Sequence, residues 1–471
     1  MTAVPTGPGA TLPSAAALAT LPGAGTLATA PSAGTLAAGA AGGVAAVAVL
    51  VLVLRKRPDW LAPLVVLALP FRVPISAEHR TVNLLIPLYV VVAAGALTQL
   101  LPRVARRELT PLRRVEWLLF GSVALYAVQA SYSSDLTKAA ENVGFFYVPF
   151  SILYLLLREI EWTPQLLLRC LGIAVALAIV FAGIGFVEYE RKSLFLNPKV
   201  VAANQYDNYF RVNSVFFDPN IYGRFLALVM IAVIGVAMRA RKTRTVYACA
   251  AVLAWLLVGL VTSFSQSSIA ALLLGLAVLA AFAWDARLTL YAAAGLVAAA
   301  LAVALLAPAS LHFGLKGIGG STSNATSGRT KLIEGGLELF ADRPLYGYGS
   351  GSFQKEYELR HRASVENATS ASHTIPITVA AEQGVIGLAV YVALLVSAFA
   401  LLLTGAGRSP PRVVVAAAFA ALMLHTWTYA DFLEDPFTWT LLAIGVALAR
   451  KPPPASSAPD PPAAGALAIA D

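Results

Sequence analysis

The side chains of this sequence that could do chemistry fall in three patches. The first is Arg211-Val-Asn-Ser-Val-Phe-Phe-Asp218-Pro219-Asn220-Ile-Tyr-Gly223-Arg224, and the second is Thr262-Ser-Phe-Ser265-Gln266-Ser267-Ser268. The third spans residues 308–373. It brings Arg329, the alternating glycines Gly347, Gly349 and Gly351, and finally His373, with Glu382 following in the next apolar run. Several arginines, one well-placed histidine and few carboxylates suit an anion with many oxygens, because a guanidinium grips phosphate bidentately. A neutral imidazole can take the proton of an attacking hydroxyl. The paired carboxylates of glycoside hydrolysis and the H-E-x-x-H zinc pattern are both missing from the sequence. Cys170 and Cys249 each sit inside an apolar run, so neither a disulfide framework nor a cysteine metal site is expected. No cofactor is expected either.

Each residue also has a plainer reading. A lone histidine at a membrane surface is by default a satisfied polar anchor. Asp218 or Asn220 can cap a helix that Pro219 opens. The glycines permit tight turns that dock the loop onto the rest of the chain, and this is at least as good as direct ligand contact. Arg224 lies a turn inside an apolar run and needs a partner, whether Asp218, Glu382 or an anionic substrate. Glu382 costs about 2.5–3.5 kcal/mol to insert. It would lie about 13 Å deeper than His373 along a straight helix. An arginine partner is therefore expected for it rather than the histidine.

The elements that position these residues must be membrane spans. The chain has 471 residues, 58% hydrophobic and 13% charged, with a mean hydropathy of +0.73. Soluble chains carry roughly 25% charged residues. A soluble enzyme, a disordered chain and a nucleic-acid-binding domain are thereby excluded. Apolar runs long enough to span, at about 20 residues each, are read at 36–54, 60–75, 82–101, 115–133, 139–157, 166–187, 220–238, 245–262, 268–284, 288–307, 374–403, 413–430 and 436–449. The second and last are short. The expected fold is all-α, a polytopic integral membrane bundle of about 12–13 helices.

Walking the loops sorts the charge. Arg55, Lys56, Arg57, Arg103, Arg106, Arg107, Arg113, Arg114, Arg158, Arg239, Arg241, Lys242, Arg244, Arg287, Arg408, Arg412, Arg450 and Lys451 share one side. The positive-inside rule makes that side cytoplasmic, and places residues 189–219 and 308–373 outside the cytoplasm. Trp117, Trp162 and Trp284 sit at expected span ends, as interfacial residues do. Five regions follow: a Pro/Ala/Gly/Thr tail at 1–35, N-terminal spans at 36–199, a core at 200–403 with its long outer loop, C-terminal spans at 404–450, and a second Pro/Ala tail at 451–471. The tails are expected to be disordered.

Four segments together are similar to the O-antigen ligase / Wzy-type polymerase family. They are RVNSVFFDPNIYGRFLAL (211–228), TSFSQSSIAALLLGLAVL (262–279), GRTKLIEGGLELFADRPLYGYGSGSF (328–353) and SHTIPITVAAEQGVIGLAVY (372–391), in the family's order. The resemblance implies a glycosyltransferase of the bacterial inner membrane, with its active site facing the periplasm or cell exterior. It would move a glycan from an undecaprenyl-diphosphate carrier to a glycan, lipid or protein acceptor, without metal or nucleotide. In the family a loop-end histidine is the proposed base and outer arginines hold the diphosphate. Those roles map onto His373 and Arg329, with Arg211, Arg224, Asp218, Asn220 and Glu382 around them. Where the family commonly has Ser-Arg-Gly, this chain has Ser265-Gln266-Ser267, so Arg211 or Arg224 would have to replace the missing charge. The resemblance leaves ligase and polymerase open, as it does a partner that measures chain length. The alternative is a transporter or flippase of a lipid-linked sugar, which should show internal repeats and broken helices in matching halves. A non-catalytic scaffold is a second alternative.

Overall fold

A computed structural model of the chain describes residues 33–77, 80–194, 210–284, 329–361, 374–429 and 431–450. The expected tails and the expected span at 288–307 lie largely or wholly outside these described residues, as do residues 195–209 of the loop at 189–219. In chain order come α1 (Ala33–Lys56), α2 (Leu61–Ala68), a hairpin of β1 (Val73–Ala77) and β2 (Arg80–Leu84), and α3 (Ile86–Ala105). Then follow α4 (Arg114–Ala130), α5 (Leu136–Arg158), α6 (Pro164–Arg191), α7 (Pro219–Ala237), α8 (Thr243–Thr262) and α9 (Gln266–Ala283). The chain continues with α10 (Arg329–Asp342), α11 (Phe353–His361), α12 (Ile375–Leu403), α13 (Pro410–Thr428) and α14 (Pro436–Arg450).

The protein is an all-α polytopic membrane protein. Eight of its described helices are long and apolar enough to cross a membrane. The expected spans within the described residues coincide with helices, with one departure. Residues 60–75 are not a continuous span: helix stops at Ala68 and the chain turns into the β1–β2 hairpin, in which Val73 pairs with Leu84. Pro70 and Pro74 explain the stop, since neither can continue a helical ladder.

Position in the bundle follows from which faces are apolar. Helix α7 is apolar almost all round and is buried along most of its length, as a central helix should be. Helices α9 and α13 pack closely because small residues line the contact, including Gly275 and Ala421. Helices α6, α8 and α12 turn Val180, Leu257, Val258 and Val396 outward, the face lipid would cover. Trp117 and Trp284 are exposed, whereas Trp162, between α5 and α6, is buried and donates from Nε1 to the Leu157 carbonyl at 3.0 Å.

A buried ion cluster closes the end of the bundle that carries the basic loops. Arg158 Nε lies 2.8 Å from Glu116 and Arg450 Nη2 lies 3.6 Å from the same carboxylate. Tyr154 donates to it at 3.0 Å. Helices α4, α5 and α14 are thus tied at one end.

Candidate functional site

At the other end of α7, the polar residues of the first two patches form one network. Asp218 caps α7, accepting from the Asn220 amide at 2.6 Å, and Pro219 occupies the first turn. This is the capping arrangement the sequence suggested. The Arg211 guanidinium donates to Asn220 Oδ1 at 3.3 Å and to the Ser263 carbonyl at 3.2 Å. Ser265 caps α9 and its hydroxyl donates to Asn220 Oδ1 at 2.9 Å. Ser265 and Ser268 hydroxyls lie 2.7 Å apart. Ser267 and Ser268 both reach Nε2 of His425, at 3.3 and 3.2 Å. The network runs from Arg211 through Asn220 and the serines to a histidine buried near the end of α13. Gln266 is exposed, on the side of the α9 start away from these serines.

Of the two side chains the sequence offered it, Asp218 and Glu382, Arg224 pairs with neither among the described residues. Its guanidinium lies 2.9 Å from the Asp435 carboxylate, and both side chains are almost fully buried. Asp435 also caps α14 by accepting the Phe437 amide at 2.9 Å. The pair joins the starts of α7 and α14.

Glu382 corrects a second expectation. Its partners are backbone amides, not an arginine: Gly351 N at 2.9 Å and Phe353 N at 3.1 Å. The residue sits just before a break in α12, where Gly384 adopts φ +65°. The glycine loop fills that break. Tyr348 N and Gly349 N donate to the Ala381 and Glu382 carbonyls at 3.2 and 2.8 Å, and Val385 N donates to the Pro344 carbonyl at 2.7 Å. On its other side the loop meets the end of α4 and the turn after it. Ser350 Oγ donates to the Tyr126 carbonyl, and Tyr132 and Ser133 hydroxyls donate to the Tyr346 and Ser350 carbonyls.

Gly347, Gly349 and Gly351 all have positive φ. A Cβ on Gly349 would lie 2.4 Å from Ser133 Cα. These glycines therefore serve a close backbone junction. Beneath it, a cavity of about 70 Å³ is lined by Thr378, Glu382, Tyr126, Tyr147 and Glu434. Burial and the neighbouring Asp431 charge raise the pKa of Glu434 above its ordinary value, against the lowering bond it accepts from Tyr147 at 2.8 Å.

The expected catalytic pair falls outside the described residues, His373 entirely and Arg329 in its side chain. The helices that flank them are described. Gly336 of α10 lies against Ile377 of α12, and further along both chains Pro344 bonds to Val385. The two segments therefore run in the same direction. The Arg329 end of α10 and the Thr374 end of α12 lie on the same side.

Sequence reasoning missed three groups. Glu188, buried in α6, accepts the Asn213 and Ser214 amides at 3.2 and 2.7 Å and so holds the Arg211 segment. His425 and Asp435 complete the network and the ion pair. The only signal available was an ionisable residue within or beside an apolar run, which implies a buried partner.

Spans, buried charges that are all paired or amide-bonded, and a polar network at one end define a multi-pass helical membrane protein with a single-ended polar site. Residues 250–392 match the family model described as O-antigen ligase. The match takes in three of the four segments that carried the resemblance, and the Arg211–Leu228 segment lies before it. No curated protein matches the chain.

Proposed function

We propose that this protein is a membrane glycosyltransferase. It would move a glycan from an undecaprenyl-diphosphate carrier to an acceptor hydroxyl on the extracytoplasmic side of a bacterial inner membrane. His373 takes the proton of the acceptor hydroxyl. The acceptor oxygen bonds to the anomeric carbon while the bond to the diphosphate oxygen breaks, and undecaprenyl diphosphate leaves. Arg329 and Arg211 neutralise the leaving charge, which is the term that makes a diphosphate a good leaving group. The side assignment rests on the distribution of Lys and Arg between loops.

The observation that supports this most is the register of α10 on α12, which sets the Arg329 end of one beside the Thr374 end of the other within the O-antigen ligase match. The bracket of Gly347–Gly351 and Glu382 fixes that register. One part of the assignment is refined on this reading. Arg224 already has a buried carboxylate, so Arg211, in the network beside Gln266, is the better substitute for the charge that Gln266 lacks. Asp218, Asn220 and Glu382 act on this reading as positioning residues.

The break at Gly384 is also a feature of transporters. An inverted-repeat transporter would pair it with a second break, and among the described residues no other helix contains a left-handed residue. The test is reconstitution of the purified full chain with a lipid-linked glycan and candidate acceptors, without nucleotide or metal. Transfer that His373→Ala and Arg329→Ala abolish is the expected result. Movement of the lipid-linked glycan across the bilayer with no transfer, or transfer unaffected by both substitutions, would overturn the reading.

A further inference from the structure

The far end of α7 carries a second feature. Arg239 follows the last turn of this helix, donating its amide to the Val236 carbonyl, and its side chain is exposed. It makes no ion pair among the described residues. By contrast, nearby Arg412 is turned onto the carbonyls that end α12, at 3.1 Å from Leu401 O and 2.8 Å from Thr404 O.

Arg239 lines two cavities at once. The larger, about 480 Å³, runs between α6, α7, α13 and α14. The smaller, about 350 Å³, lies between α7, α9 and the start of α13. Gly235, Arg239, Pro410 and Val414 line both. Val414 forms the ridge between them, and it can do so because position 235 is glycine: a Cβ there would lie 2.3 Å from Val414 Cγ2.

We propose that Arg239 and these two cavities form a binding site for an anionic diacyl phospholipid. The lipid phosphate sits on the guanidinium and one acyl chain enters each cavity. Two cavities that share one exposed cation, the larger apolar and the smaller flanked by the Met238, Leu279, Phe282 and Val413 side chains, match a ligand with one anionic head and two tails. A single-chain isoprenoid would fill only one of them. The charge around the site is complementary too, since Arg241, Lys242 and Arg244 follow Arg239 in the sequence. Cations at the ends of transmembrane helices attract anionic lipid at about 1 kcal/mol each. The site is separated from the polar network by the length of α7, roughly 28 Å, so it is independent of the transfer chemistry.

The test uses the full chain in nanodiscs of equimolar phosphatidylglycerol and phosphatidylcholine, released into the mass spectrometer under native conditions. The expected result is about fivefold more phosphatidylglycerol than phosphatidylcholine retained by the wild type. Arg239→Gln should lower that ratio severalfold, to the residual that Arg241, Lys242 and Arg244 sustain, and Arg239→Lys should keep most of the preference. Arg239 is exposed, and an unchanged elution profile and thermal midpoint will show that both variants fold. Equal retention of the two lipids by the wild type would overturn the proposal. So would a preference that Arg239→Gln leaves unchanged, or full displacement of phosphatidylglycerol by equimolar undecaprenyl phosphate.

Discussion

The Glu382 carboxylate accepts the Gly351 amide at 2.9 Å, joining a membrane helix to the loop outside it. With Phe353 N on its other oxygen, both carboxylate oxygens are committed. Glu382→Gln leaves one amide facing an NH₂ group instead of an acceptor. Unsatisfied buried donors cost about 1–3 kcal/mol. The variant should show a lower thermal midpoint in detergent and faster proteolysis between residues 344 and 361. Unchanged proteolysis would mean that the bracket does not depend on this carboxylate.

Two glycines separate backbone strain from steric exclusion. Gly349→Ala and Gly405→Ala both force a side chain into a left-handed conformation, at about 1–2 kcal/mol. Only Gly349→Ala also drives a Cβ into Ser133 Cα at 2.4 Å; at Gly405 the nearest atom is Arg412 Nη1 at 3.7 Å. Gly349→Ala should be clearly the more destabilising in a denaturation series, and should lower transfer activity where Gly405→Ala does not.

The Arg224–Asp435 pair tests whether Arg224 is structural. Removing one member of a buried pair leaves an uncompensated charge and costs about 3–5 kcal/mol. Arg224→Met and Asp435→Leu should each destabilise strongly. The double variant should be less damaged than the sum of the two, as read by a double-mutant cycle on thermal unfolding. If the double variant folds and retains glycan transfer, Arg224 does not hold the diphosphate.

His425 touches Ser267 and Ser268, which lead through Ser265 and Asn220 to Arg211. Its effect should therefore pass through Ser265 and Asn220. His425→Ala should raise the donor KM more than it lowers kcat, as a loosened Arg211 would. Asn220→Ala should do the same, and the two should not add. Additive losses would show that His425 acts elsewhere.

Glu434 gives the chain a pH dependence with a defined sign. Its pKa is raised in the fold, so the folded state holds this proton at a pH where the unfolded chain has released it. Its contribution to stability is present below the ordinary glutamate value and is lost as pH rises through the raised one. Thermal midpoints measured upward through mildly acid pH should fall for the wild type and flatten in Glu434→Gln.

Hydropathy made the bundle legible because a spanning segment announces itself over many residues at once. It failed at 60–75, where a window average concealed that Pro70 ends one element and that Val73–Ala77 pairs as a strand. The caps were readable because Asp218 and Ser265 act on amides two or three residues away. The partners of Arg224 and Glu382 were not, because nothing local selects Asp435 or the amides of Gly351 and Phe353 from distant parts of the chain. His425 and Glu188 went unnoticed for a related reason: each is one polar residue averaged into a strongly apolar run. The three glycines carried the right backbone meaning, but the surface they approach is supplied by Ser133, Ala139 and Glu382, which only the fold brings there.

The interruption at Gly384 changes what α12 is mechanically. The Pro344 carbonyl and the Tyr348 and Gly349 amides occupy the backbone bonds on either side of the gap. The loop is therefore fastened to both segments, to the leading one at Ala381 and Glu382 and to its continuation at Val385. A load placed on that loop reaches both halves of the rod together, so the gap behaves as a braced joint and not as a free hinge.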